Sequence, residues 1–268
     1  MPDPRGPARY DATSTGRAVH RAALRTEQGP AGVHTSAAAA LSKLRPLLGP
    51  RGLTLGTAVA GESEAEPAGP FEDAQARAMP APRRGDFLAG RCAARRALTE
   101  ADLPAGEILR AGRKPVFPAG SVGSISHDGG LAVALAARAE RYAALGCDLE
   151  LRGLPLAAAH LVLTPEERAW TVSAPDEARA WWRLLQAFCA KEAAYKAFSV
   201  LLPEGQAPRT LLGIAVRPIA GGFHAWPGSR PGRLLAVEVR AVAHGAFAWT
   251  TVAGRERARW GREQPDPT

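Results

Sequence analysis

Short β-type runs rich in apolar residues, separated by glycine-rich turns, fill much of the chain between residues 53 and 151. Such runs predict β-strands. They read LTLGTAVA (53–60), EILRA (107–111), SVGSISH (121–127), LAVALAA (131–137) and YAALGCDLEL (142–151). A segment with helical spacing, GDFLAGRCAARRAL (85–98), lies among them. The first part of the chain therefore combines a helix with a small sheet.

A similar order of elements returns further along the chain. Thr164-Pro165-Glu166-Glu167 has the residues of a capping box, which predicts a helix start, and a long helix is predicted over Glu177–Phe198. Four strand-like runs then follow as a meander, namely LLGIAVRPI, GGFHAW, LLAVEVRAVA and AFAWTTVA. We therefore predict an α+β fold with two pseudo-symmetric halves. Each half is a small antiparallel sheet packed with helices, and the active site lies at their interface.

The ends of the chain lack a sustained period. Residues 1–36 are rich in Pro, Gly, Ala and Arg and are predicted to be a flexible tail, and residues 261–268 a second tail. The N-terminal half is predicted to cover 37–144 and the C-terminal half 145–260.

Composition narrows the class of protein. Lys and Arg give a formal net charge of +8, which favours an anionic partner. Nucleic acid is a weak candidate for that partner because the arginines are scattered and aromatic residues make up only 6%. No apolar run of membrane-spanning length and no signal peptide is visible, and the 3 cysteines are far apart. We expect a cytoplasmic protein without a membrane partner.

The first candidate for chemistry is the helix WWRLLQAFCAKEAAYKAF, at 181–198. Its apolar stripe continues onto Lys191 and Glu192, where core residues are expected. A buried carboxylate needs a compensating charge, and Lys196 lies one turn further along the helix. An ordinary Glu–Lys pair on a solvated face would have the same spacing.

Two carboxylates interrupt the apolar run LGCDLEL, at 145–151. Asp148 and Glu150 are two residues apart, so in a strand their side chains point to the same side. They would repel each other unless a cation lies between them, and oxygen ligands suit Mg²⁺ or Mn²⁺. Together with Glu192 they would form a three-carboxylate metal site. The alternative is a strand end that turns into solvent.

Several donors suited to phosphate lie elsewhere. Lys114 precedes Pro115, and Ser126 and His127 end a strand just before a Gly-Gly turn. Arg91 stands on the apolar face of its helix, and arginine binds phosphate in a bidentate manner. A hydrogen-bonded histidine and an arginine at a helix flank are the ordinary alternatives. The sequence contains no G-x-x-x-x-G-K-[ST], G-x-G-x-x-G, H-E-x-x-H or G-x-S-x-G motif.

Taken in order, these motifs resemble the 4'-phosphopantetheinyl transferases. LGCDLE and AFCAKEAAYKAF are similar to the family signatures (I/V)G(I/V)D(I/V)E and (F/W)xxKExxxK. FLAGRCAAR resembles the N-terminal segment of the bacterial branch that serves siderophore, polyketide and nonribosomal peptide assembly. GRKPVFP and GSISH fill the phosphate-binding segment between FLAGRCAAR and LGCDLE.

The resemblance implies a role for each matching residue. Asp148, Glu150 and Glu192 would bind Mg²⁺, with Glu192, or else Glu150, as the base and Lys196 as a further catalytic residue. Coenzyme A would be bound by a second set, namely Arg91, Lys114, Pro115, Ser126, His127, Lys191 and Lys196. Of these, Lys114, Ser126 and His127 would contact its phosphates, Arg91 its 3'-phosphate end, and the two helix lysines would flank the pyrophosphate and the pantetheine arm. Glu167 matches a family position near Lys196, and Arg83 or Arg84 would add a phosphate contact.

The resemblance also implies the reaction and its partners. Coenzyme A would donate its 4'-phosphopantetheine arm to a serine of an apo acyl or peptidyl carrier protein, releasing 3',5'-ADP. Carrier proteins of this class are generally acidic, which suits a basic enzyme. A monomer is expected from two related halves in one chain. Two rivals are another Mg²⁺-dependent phosphoryl-transfer enzyme such as a nuclease, and a non-enzymatic nucleic-acid-binding protein.

Overall fold

The periodicities of the sequence reappear as regular elements in the computed structural model, which describes residues 30–260. We number them in chain order. The α-helices are α1 (Pro30–Ser42), α2 (Arg45–Leu48), α3 (Pro70–Arg77), α4 (Ala81–Glu100), α5 (Pro165–Val172), α6 (Glu177–Leu201) and α7 (Arg257–Trp260). The strands are β1 (Thr54–Val59), β2 (Leu109–Ala111), β3 (Lys114–Val116), β4 (Ser121–Asp128), β5 (Leu131–Arg138), β6 (Tyr142–Glu150), β7 (Ile214–Ile219), β8 (Gly222–Pro227), β9 (Leu235–Val242) and β10 (Gly245–Ala253).

All strand pairs among these elements are antiparallel, as expected for hairpin connections. One sheet has the order β1-β5-β4, a second the order β6-β10-β9-β8-β7, and β2 and β3 form a two-stranded ribbon. Helix α4 packs on β1 and β5, and helix α6 packs on β6 and β10. The α+β fold with two related halves is confirmed.

A glycine marks the same place in each half. A Cβ on Gly56 of β1 would lie 2.0 Å from the carbonyl oxygen of Ala93 in α4. A Cβ on Gly146 of β6 would likewise lie 2.0 Å from the carbonyl oxygen of Ala193 in α6. The strand and helix backbones therefore touch at matching points, which supports the pseudo-symmetry more directly than any repeat in the sequence.

The long helix α6 supports the second sheet. Thr164 and Glu167 form the predicted capping box at the start of α5. Asp176 caps α6, because its side chain accepts a hydrogen bond from the backbone N–H of Arg179 at 2.7 Å. Apolar residues of α6, including Phe188, are buried against the sheet. Because β6 belongs to this sheet, α6 and β6 are held at a fixed distance.

Two predicted boundaries are corrected. The tail was expected to extend to residue 36, but α1 begins at Pro30. The alanine-rich segment has high helix propensity, and its Ala37 and Leu41 are buried with core residues of both sheets. Strand β6, which pairs with β10, begins at Tyr142, three residues before the predicted start of the C-terminal half at 145. Predictions for residues 1–29 and 261–268 lie outside the described residues.

Among residues 30–260, no helix combines the length and the apolar character needed to cross a bilayer.

The contact between β6 and α6 leads to a first prediction. Changing Gly146 to alanine is expected to lower the free energy of unfolding by about 3 kcal/mol or more, because the new methyl meets backbone rather than a flexible side chain. Gly205→Ala is the matched control, since a Cβ there has nothing within 4 Å. Urea unfolding of both variants measures the difference, and equal stability of the two would contradict the close approach.

Candidate active site

Strands β4 and β6 face each other where the two halves meet, although they belong to different sheets. Hydrogen bonds of side chains, instead of backbone pairing within one sheet, connect β4 to β6. The backbone N–H of Cys147 donates to the Ser124 hydroxyl oxygen at 2.9 Å. The Ser126 hydroxyl donates to Oδ1 of Asp148 at 2.7 Å. We call this contact the β4–β6 seam.

Asp148 and Glu150 lie on β6 at this seam, and both are buried. Burial raises the pKa of Glu150 well above its usual value, and the charges of Asp148, Asp128 and Glu192 raise it further. Burial and the Asp148 charge also raise the pKa of Glu192 to about 7, against the opposing charge of Lys196. The three predicted carboxylates are therefore close enough to interact electrostatically.

Lys196 provides the positive charge nearest to Asp148. Its ammonium group donates to Oδ1 of Asp148 and to the carbonyl oxygen of Cys147, both at 2.8 Å. Burial alone would lower the pKa of Lys196, but the carboxylates of Asp148 and Glu192 outweigh it and raise the pKa. Oδ2 of Asp148 is buried and accepts no hydrogen bond from residues 30–260.

Oδ2 of Asp148 indicates how well these residues fit a divalent cation. Among the described residues, no three or more His, Cys, Asp or Glu side chains are arranged to hold a metal ion. The predicted set of three carboxylates is thus not assembled as a closed cage. Mg²⁺, however, is commonly held by one or two carboxylates, completed by waters and substrate phosphates. The buried Oδ2 of Asp148, beside Glu150, fits such an open site.

A cleft of about 240 Å³ opens beside this cluster. Its walls come from both halves, with Lys114 and Pro115 on one side and Glu192, Tyr195 and Lys196 on the other. The Lys114 ammonium donates to the carbonyl oxygen of Ser199, so it closes one end of the cleft by reaching from β3 to α6. The cleft can accept an extended, partly apolar group next to the carboxylates.

A second pocket, of about 250 Å³, adjoins the first, and Arg113 and Ile125 line both. It is strongly basic, since its lining includes Arg83, Arg91, Arg110 and Arg113. His127 is also in its wall, with Nδ1 3.7 Å from Oδ2 of Asp86. Several guanidinium groups in one pocket form a site for a phosphate group.

Arg91 is the most buried of these arginines, with 7% of its surface exposed. It donates to the carbonyl oxygen of Ile108 at 2.9 Å and lies over the ring of Phe87 at 4.1 Å. Burial lowers its pKa to about 10, with the charge of Glu72 opposing and that of Arg110 adding to the decrease. It therefore forms a rigid wall of the pocket.

Lys191, which the motifs place in the coenzyme A site, lines neither the cleft nor the basic pocket. Its side chain is fully buried, forms an ion pair with Glu167, and donates to the carbonyl oxygens of Val162 at 2.8 Å and Leu211 at 3.3 Å. Adjacent residues on a helix point about 100° apart. Since Glu192 lines the cleft, Lys191 points to α5 and is not among the residues that line the cleft. Glu167 pairs with Lys191 rather than with Lys196.

Ser126 and the arginines also differ from expectation. The Ser126 hydroxyl contacts Asp148 instead of lining either pocket. Arg110 and Arg113, which the motifs did not single out, lie in the basic pocket, whereas Arg84 hydrogen-bonds the carbonyl oxygen of Ala76 at 3.1 Å. The position of Arg113 directly before Lys114, in a glycine turn, was the signal that could have identified it.

Comparisons with known proteins agree with the motifs. Residues 71–137 match the description 4'-phosphopantetheinyl transferase N-terminal domain, and residues 144–220 match the 4'-phosphopantetheinyl transferase superfamily. Together the two matches span more than half of the chain. The chain belongs to the 4'-phosphopantetheinyl transferase superfamily. Both family matches contain site residues, since the first covers the basic pocket and the second covers β6 and α6.

Three relatives are bacterial 4'-phosphopantetheinyl transferases. The chain is 41% identical to Npt of Nocardia iowensis over 118 residues, which are 43% of this chain and 52% of that protein. It is 37% identical to PptT of Mycobacterium tuberculosis over 120 residues, 44% of this chain and 52% of that protein. Svp of Streptomyces mobaraensis is 41% identical over 129 residues, 46% of this chain and 50% of that protein. The chain thus spans about half the length of these relatives.

Proposed function

We propose that this superfamily member transfers the 4'-phosphopantetheine arm of coenzyme A to a serine of an apo carrier protein. The observation that supports it most is the pair of adjoining pockets, in which a basic pocket shares Arg113 and Ile125 with a cleft that Glu192 and Lys196 line. Coenzyme A has the matching order of groups, with a 3'-phosphate at one end, a diphosphate in the middle and an extended arm.

The basic pocket suits the 3'-phosphate. Arg83, Arg91, Arg110 and Arg113 would neutralise it, and the His127 imidazole would add a hydrogen bond. The extended arm would then run along the cleft past Lys114 and Pro115. In this orientation the diphosphate lies near the β4–β6 seam, next to the carboxylates.

Asp148 and Glu150 would hold Mg²⁺, or Mn²⁺, through oxygen atoms, with the diphosphate supplying further ligands. When bound, the ion would neutralise charge on the leaving group. Glu192 lies across the cleft and would accept the proton of the attacking serine. Lys196, tied to Asp148, would hold that carboxylate in place.

The reaction balances without another reactant. The serine oxygen forms a bond to the β-phosphorus of coenzyme A, and the bond from that phosphorus to the bridging oxygen breaks. The electron pair leaves with 3',5'-ADP, and the serine proton moves to Glu192. The net charge of +8 favours encounter with an acidic carrier. Carriers of polyketide, nonribosomal peptide or siderophore assembly are the partners that the sequence motifs favour.

Intact-protein mass spectrometry tests the proposal. We expect an apo carrier protein to gain the mass of one phosphopantetheine arm only when the purified chain, coenzyme A and Mg²⁺ are all present. Coenzyme A lacking its 3'-phosphate should react about 10- to 100-fold less efficiently, because charge-assisted hydrogen bonds in the basic pocket are lost. No mass gain across a panel of acyl and peptidyl carriers would contradict the proposal, and cleavage of nucleic acid with Mg²⁺ would favour the nuclease alternative.

A further inference from the structure

Alternate side chains of β4 connect it to β6. Ser124 accepts from the backbone N–H of Cys147, and Ser126 donates to Asp148. Asp128 accepts from the backbone N–H of Leu151 at 2.8 Å. Because side chains two residues apart on a strand point the same way, one face of β4 supplies these three contacts. Of these three contacts, the one from Ser126 reaches a candidate cation ligand.

The two oxygens of Asp148 have different surroundings. Oδ1 accepts from the Ser126 hydroxyl at 2.7 Å and from the Lys196 ammonium at 2.8 Å. Oδ2 is buried and has no hydrogen-bond donor among residues 30–260. Two fixed donors on Oδ1 set the rotation of the carboxylate. Oδ2 is thereby left as the oxygen that faces a cation.

The same geometry bears on the role expected for Ser126 from the motif. A serine hydroxyl has one proton to donate. Asp148 is ion-paired with Lys196 and acts as an acceptor, so the hydroxyl proton of Ser126 is used on Asp148. A second donation to a phosphate oxygen would need that same proton.

We propose that Ser126 is a positioning residue, which orients the Asp148 carboxylate for a divalent cation across the β4–β6 seam. The inference rests on the proposed function for the identity of the cation. It adds a residue that acts from the opposite half of the molecule, so that cation binding depends on the contact between the halves.

Two binding measurements on Ser126→Ala separate the possible roles. Isothermal titration with Mn²⁺ should show about 10- to 100-fold weaker binding than in the parent, the range found when the hydrogen-bond partner of a metal ligand is removed. Binding of coenzyme A in the presence of EDTA should stay within about twofold of the parent. Ser126→Thr keeps the hydroxyl and should restore most of the Mn²⁺ affinity.

Ser124→Ala is the matched control, because it removes a hydrogen bond from the same face of β4 without touching Asp148. It should lower thermal stability about as much as Ser126→Ala but leave Mn²⁺ binding near that of the parent. Equal loss of Mn²⁺ affinity in both variants would overturn the inference in favour of a loosened seam. Loss of EDTA-resistant coenzyme A binding in Ser126→Ala would show a direct phosphate contact instead. A parent that binds no Mn²⁺, with or without coenzyme A, would count against the proposed function itself.

Discussion

Replacing Asp148 with asparagine is expected to slow holo-carrier formation by about 100-fold or more at saturating coenzyme A and Mg²⁺. In the parent, Ser126 and Lys196 donate to Oδ1. The same donors would hold the carbonyl oxygen of the new amide, so its NH₂ group would occupy the place of Oδ2. Donor hydrogens would then face the cation. Losing several kcal/mol of charge stabilisation in the transition state would slow the reaction by this factor, since each increase of about 1.4 kcal/mol in the activation free energy lowers the rate tenfold.

The rate is measured by single-turnover mass spectrometry of the carrier, and circular dichroism checks that the fold is kept. Glu140→Gln is the matched control, because Glu140 is exposed in the turn between β5 and β6, away from both pockets. It should react like the parent. If Asp148→Asn retained more than about a tenth of the parental rate, Asp148 would not be a ligand on which the reaction depends.

The secondary structure could be predicted well because most elements have one buried face. The alternation in β4, the apolar run of β5 and the capping box at Thr164 are local signals, and each appears in the structure. Helix α1 was missed because the run of alanines at 37–40 shows no apolar–polar period. Its place depends on packing against both sheets, which no local period reveals.

Part of the site could also be predicted from a local pattern in the sequence. Asp148 and Glu150 follow the two-residue repeat of a strand, so their shared side was visible in the sequence. Lys191 and Glu192 both continue the apolar stripe of α6, and the stripe does not tell which of them faces the cleft. That choice is made by Glu167, which lies on another helix and pairs with Lys191.

The basic pocket could not be predicted from a local sequence pattern either. Its arginines come from α4, from β2 and from the turn before β3, so their convergence depends on how β2 and β3 fold over the helix. A scattered set of arginines argued only for an anionic partner of unspecified kind. In the folded structure, four of these arginines line one pocket beside the cleft, where they could bind a phosphate group.

Replacing Lys191 with methionine is expected to lower the free energy of unfolding by about 3 to 5 kcal/mol, because it leaves a buried carboxylate without its cation. Glu167 accepts from the backbone N–H groups of Val216 at 2.7 Å and Thr164 at 2.8 Å, which do not replace a charge. The melting temperature should fall by roughly 6 to 20 °C for a chain of this size. Chemical unfolding and calorimetry measure both quantities.

Lys43→Met is the matched control, since Lys43 is exposed just beyond α1 and the same substitution there should change stability by less than about 0.5 kcal/mol. The variant Lys191→Met/Glu167→Gln should be less destabilised than the sum of its single changes, because removing both charges leaves neither uncompensated. At a temperature where Lys191→Met is folded, its catalytic rate should stay within a few-fold of the parent. A large loss of rate with unchanged stability would return Lys191 to the substrate site, because only a side chain that contacts the diphosphate could produce that pattern.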